Sequence, residues 1–185
     1  SRDDFSEVFL FFDYDAHQTN LGKSDDGDVI NQMLESFDNE TENGKLYISY
    51  PMVEALRDFE AGKCGNEDNC FVEISDLAEY KNISSRNSLN LHFRDYNIDV
   101  WKESIDVFSM RISCLLGNAE VISYEQYLDE ANPHDIFMCE QALAGNNKVF
   151  IISAFPEFLV DYFGMKLWKT CVKHAKNQLD ICNCK

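Results

Sequence analysis

The chain has 185 residues, 45% of them hydrophobic and 13% aromatic, enough apolar material for a packed core and too much for a disordered chain. Its formal charge is −17, with 33 Asp and Glu against 16 Lys and Arg, which opposes general adhesion to nucleic acid, where Lys and Arg meet the phosphates. No apolar run approaches the roughly 18 to 20 residues of a membrane-spanning helix.

The first element is "VFLFF", residues 8–12, an unbroken apolar run that predicts a strand buried on both faces of a parallel sheet. It runs straight into Asp13 and Asp15, which alternation puts on one side of the strand with Tyr14 on the other. Two carboxylates so close repel one another until a cation or a donor sits between them. A polar loop, "AHQTNLGKSDDG", follows. Val29, Ile30, Met33, Leu34 and Phe37 then form one helical face, with Asp28 as its cap. Asn43-Gly44 turns the chain into a second strand, "KLYISY", residues 45–50, and Pro51 suits the first turn of a helix carrying Met52, Val53, Leu56 and Phe59. Strand–helix–strand–helix order implies parallel pairing and an α/β sheet.

The middle of the chain is less regular. "KCGNEDNC" reads as a loop, Phe71 to Tyr80 as a short helix and "KNISSRNSLN" as a polar, mobile stretch. Trp101, Ile105, Phe108, Ile112 and Leu115 step by four and three, a long amphipathic helix. Ser123 with Gln126 forms a capping-box pattern and Pro133 opens another helix. "KVFIISAF" predicts a buried strand, and from Pro156 the chain reads as helical nearly to its end, with a break at Gly164.

Seven cysteines, Cys64, Cys70, Cys114, Cys139, Cys171, Cys182 and Cys184, are read as reduced thiols of a cytoplasmic protein, because no export signal accompanies them. On the same reading the Asn-X-Ser/Thr sequences at Asn39 and Asn82 carry no sugar. A zinc site drawn from Cys64, Cys70, Cys171, His174, Cys182 and Cys184 matches no standard spacing. There is no Gly-rich phosphate loop and no nucleophile elbow.

A D-x-D pair at the C-terminal end of a parallel strand lies where open α/β sheets place their ligand crevice. Glu54, in the first turn after the second strand, is positioned by sequence to reach the same edge. His17, just beyond Asp15, is a candidate for substrate phosphate or metal-bound water, beside its plainer reading as a loop residue. Lys166, Lys169, Lys173 and Lys176 form a basic stripe at helical spacing, a weak candidate for a phosphate backbone and otherwise a solvated helix face. Asp161 and Tyr162, in "PEFLVDYFG", are read as structural.

The apolar strand ending in D-x-D, the helix after it and "ISYPMVEALRDF" together resemble the Toprim-domain nucleases, above all the RloB-type and abortive-infection (AbiL-type) proteins of bacterial phage defence. The resemblance covers residues 8–60 and rests on Asp13, Asp15, Ser49, Pro51 and Glu54. It implies an α/β, Toprim-like (Rossmann-like) domain over residues 1–185 with a mostly parallel sheet, a mainly helical insertion or extension at 62–145 and a mainly helical second half. It also implies Mg²⁺ or Mn²⁺ held by Asp13, Asp15 and Glu54, and cleavage of a phosphodiester bond in DNA or RNA. The further Glu that Toprim proteins carry upstream has no counterpart here, since Glu7 lies beside the wrong strand, so the expected domain lacks its N-terminal strand and its general acid/base. Two other readings stay open: an acidic, metal-free module that binds a protein partner in a defence system, and a phosphoryl-transfer enzyme acting on a small nucleotide.

Overall fold

The computed structural model describes residues 6–14, 26–58, 70–87 and 92–173. Strand β1 (Phe9–Asp13) leads to helix α1 (Asp26–Ser36), then to a short β2 (Asp38–Asn39) and to β3 (Gly44–Ser49). β3 is the middle strand of the order β1-β3-β2, parallel to β1 and antiparallel to β2. Phe9 pairs with Lys45 and Asp13 with Ser49, so the expected parallel pair is present. Within α1, Asp28 lies two residues past the start of the helix, not at its cap.

β1 differs from expectation in its burial. Among the described residues it pairs only with β3, and Phe11 and Phe12 are 39% and 49% exposed. An apolar run therefore marks an edge strand here, because one face is covered only in part and one flank carries no described neighbour. β3 takes the role foreseen for β1: Leu46, Tyr47, Ile48 and Ser49 are all buried.

The segment after β3 also departs from expectation. Pro51 does not open an α-helix. The Tyr50–Pro51 peptide is cis, Met52 is extended, and a 3₁₀ helix covers Val53–Arg57. The turn carries Glu54 and Ala55 inward together, which the 3.6-residue spacing assumed for this segment did not provide for. Phe71–Tyr80 is not one helix either. β4 (Phe71–Glu73) gives way through a 3₁₀ turn to α2 (Leu77–Asn87), so the polar stretch from Lys81 is helical as far as Asn87.

α3 (Ile98–Leu115) is capped by Asn97, whose side chain accepts from the amides of Asp99 and Val100. α4 (Tyr124–Glu130) has the expected capping box, with Ser123 and Gln126 bonding each other's backbone, and α5 (Pro133–Ala144) starts on its proline after Asn132. β5 (Lys148–Phe150) is as buried as its sequence suggests but short, and it pairs antiparallel with β4. The fold is thus α/β with two small sheets. They are joined where Tyr50 and Ile152 exchange backbone bonds of 2.8 and 2.9 Å.

α6 (Ala154–Cys171) completes the chain, and Gly164, at φ 67° and ψ −158°, breaks its helical path where the sequence suggested. α6 packs on the β1/β3 face that carries Phe9, Phe11 and Tyr47, where Phe155 and Phe158 meet those rings at 4.9 to 5.8 Å. On the other face Tyr14 and Tyr50 meet each other at 5.0 Å, and Phe137 of α5 meets Tyr14 at 6.2 Å. No helix among the described residues is long and apolar enough to cross a membrane.

Gly44, at the start of β3, has φ 118°, and a Cβ there would sit 3.2 Å from Val8 Cγ1 and 3.3 Å from the Val8 carbonyl. Substitution would therefore strain the backbone and push β1 from its partner. Gly44→Ala is expected to lower stability by about 1 to 3 kcal/mol, measured as a drop in the urea midpoint at constant m-value.

Candidate functional site

Asp13 is the last residue of β1 and is exposed. Pairing puts it beside Ser49, and alternation puts both on the α6 face of the sheet. The Ser49 hydroxyl accepts from the amide of Ala154, at 3.3 Å, in the first turn of α6. The C-terminal end of the parallel pair, the Asp13 carboxylate and the N-terminal end of α6 therefore meet at one edge.

Glu54 stands in the 3₁₀ helix that follows, with its side chain 10% exposed, and Lys81 of α2 approaches Oε1 to 3.2 Å. One turn on, Asp58 is buried. It accepts from the Tyr80 hydroxyl at 3.4 Å and lies 3.9 Å from the Arg111 guanidinium, which also donates to the Ile151 carbonyl at 3.0 Å. The segment after β3 is thus tied to α2 and α3 by charge, and Glu54 belongs to that tie. Among the described residues no three His, Cys, Asp or Glu side chains gather into a metal-holding group.

Asp15, His17 and Lys176 lie outside the described residues. Lys166 and Lys169 are exposed on the last turns of α6. Lys173 leaves the stripe, because Asp106 accepts from its backbone amide at 2.8 Å and its Nζ lies 3.5 Å from the same carboxylate. Cys139 and Cys171 are free thiols; Cys64, His174, Cys182 and Cys184, which the zinc reading needs, lie outside the described residues.

Asp161, read from the sequence as structural, accepts from three side chains among the described residues. Its Oδ2 accepts from Lys45 Nζ at 2.5 Å and from the Tyr47 hydroxyl at 3.1 Å, and its Oδ1 from the Tyr127 hydroxyl at 2.7 Å. Burial first, and the Asp161 charge second, hold both tyrosine hydroxyls protonated. Glu157 precedes Asp161 by one turn and is 1% exposed, with Oε1 lacking a hydrogen-bond partner among the described residues. Burial pushes its proton affinity well above the ordinary Glu value; Asp161 adds to the effect and Lys45 opposes it. The legible signal was the spacing of Glu157 and Asp161, four residues apart in the otherwise apolar first half of α6.

Compared with known proteins, the chain matches no family model, no curated protein and no solved structure.

Below the ordinary Glu pKa of 4.5, folded and unfolded chains both hold the Glu157 proton. Above it only the folded chain does, so this group makes stability fall as pH rises. Glu157→Gln removes that slope. The variant is expected to exceed the parent in stability at neutral pH, with the gap closing below about pH 4.5, as read from urea midpoints across the pH range.

Proposed function

We propose that this chain is a Toprim-like, divalent-metal-dependent nuclease domain acting in the cytoplasm in bacterial anti-phage defence, with Asp13 and Asp15 as its metal-binding carboxylates. The observation that carries the reading is the position of Asp13: an exposed acid closing a parallel strand inside an α/β fold, at the edge where such sheets bind ligands. The buried Ser49 and the 3₁₀ turn bearing Glu54 follow at the same edge.

The described residues leave the donor set for Mg²⁺ or Mn²⁺ incomplete. They offer Asp13, together with a Glu54 already matched by Lys81. Glu54 joins the site only by exchanging that ammonium for the metal, and the 72% exposure of Lys81 makes the exchange inexpensive, since exposed ammonium groups are well solvated. Lys166 and Lys169, exposed on the last turns of α6, are two of the cations a DNA or RNA backbone would meet.

A second reading, an acidic module that binds a protein partner, is favoured by the aromatic surface of β1, where Phe11 and Phe12 face solvent.

Thermal melts in Mg²⁺ or Mn²⁺ decide between them. At ten times Kd the metal adds about 1.4 kcal/mol, a rise of roughly 3 to 5 °C for a chain of this size. The Asp13→Asn/Asp15→Asn variant is expected to lose that rise, and Lys81→Met to bind metal more tightly by freeing Glu54. An equal rise in parent and double variant assigns the metal to the general acidic surface and leaves the partner-binding reading. Cleavage of single-stranded RNA and DNA that survives loss of both aspartates overturns the proposed site.

A further inference from the structure

A recess of about 10 Å³ lies between the 3₁₀ turn after β3, the middle of α3 and the first turn of α6. That is room for a single water molecule and for no larger ligand. Leu56, Phe108 and Pro156 are among its apolar walls, and its polar lining is Arg111, Ser104 and Ser153.

Each of these three has hydrogen-bonding capacity left over. Arg111 is buried, yet among the described residues its guanidinium makes one hydrogen bond, to the Ile151 carbonyl at 3.0 Å. The Asp58 carboxylate stands 3.9 Å away, close enough to balance the charge but beyond hydrogen-bond reach. A guanidinium carries several N–H donors, and burying one unmet is costly. Ser104 Oγ donates to the Trp101 carbonyl at 2.9 Å, so its lone pairs remain to accept. Ser153 Oγ accepts from the Phe155 amide at 3.4 Å, so its proton remains to be donated.

A water molecule answers all three demands, accepting from Arg111 and Ser153 and donating to Ser104. A chloride ion would meet the two donors, but it would set its charge against the lone pairs of Ser104 and compete with Asp58 for one guanidinium. A cation would face Arg111 itself.

We propose that this recess is the binding site of one structural water molecule, hydrogen-bonded to Arg111, Ser104 and Ser153. Ser153 is the N-cap of α6, so the water ties α3 to the start of that helix. It also completes the contacts of Arg111, the side chain that steadies the turn after β3. The proposal is independent of the nuclease reading, since it uses none of Asp13, Asp15 and Glu54.

Crystal structures of the full chain in two crystal forms, grown from different precipitants, are the test. The expected result in both is one solvent peak within about 3.2 Å of a guanidinium nitrogen and of both hydroxyls. Ser104→Val puts a methyl group into the recess and removes the acceptor, and Ser153→Ala removes a donor. Each variant is expected to lose the peak, and the maps of the parent decide the matter even where a variant does not fold. A recess without density overturns the proposal. So does an anomalous peak at that position after a bromide soak, which makes the ligand an anion. A peak that keeps its place in both variants overturns it too, because the hydroxyls then have no part in holding the water.

Discussion

The carboxylate of Asp161 holds the two halves of the fold to one another. It stands on α6, and its partners are Lys45 and Tyr47 of β3 and Tyr127 of α4, elements far apart in the chain. A largely desolvated carboxylate is tolerable only when its lone pairs are met, and here three donors from two elements meet them. α6 is thereby fixed in rotation over the sheet. Its aromatic residues Phe155 and Phe158 fall on Phe11 and Phe9, and its first turn lies against Ser49. Glu157, one turn back on the same helix, is pushed toward its uncharged form by burial first and by the neighbouring Asp161 charge second.

A second set of charges governs the opposite end of β3. Arg111 is 4% exposed and serves both the Asp58 carboxylate and the Ile151 carbonyl, so α3 ties the turn after β3 to the strand that bridges the two sheets. Glu54 shares that turn and faces Lys81. The same side chain that sequence spacing offers as a metal ligand is therefore in service as a tertiary contact. The two roles compete for one carboxylate, with the solvent-exposed Lys81 ammonium as its present holder.

The aromatic surface of β1 follows from its place at the sheet edge. Phe9 and Phe11 turn toward α6, yet Phe11 stays partly exposed, and Phe12 on the opposite side of the strand is half exposed. Phe93 extends the surface, its ring tilted against that of Phe155 at 5.4 Å. So apolar an edge in a chain of −17 net charge is kept from indiscriminate association by the acids around it, Glu7 before β1 and Asp13 at its end.

The sequence by itself determined the local elements whose signals are short-range. Pro133, Ser123 with Gln126 and the four-three steps from Trp101 to Leu115 each specify a helix through contacts within a turn or two, and all three helices form. The break at Gly164 was legible for the same reason, as glycine accepts positive φ without strain. Parallel pairing of β1 with β3 followed from element order. Tertiary structure alone decided which apolar strand became the buried one, since "VFLFF" and "KLYIS" have similar content and only the sheet order puts β3 between two neighbours. It also split Phe71–Tyr80 between a strand and a helix, because Phe71 and Val72 find partners in Phe150 and Val149, nearly eighty residues away by the numbering. The same holds for the carboxylates. Spacing singled out Asp13 and Glu54, but whether an acid meets solvent, an ammonium or two tyrosines depends on which distant elements pack against it. That is why Glu54 proved to be paired and Asp161, one of two acids in the apolar first half of α6, proved to be the centre of a polar network.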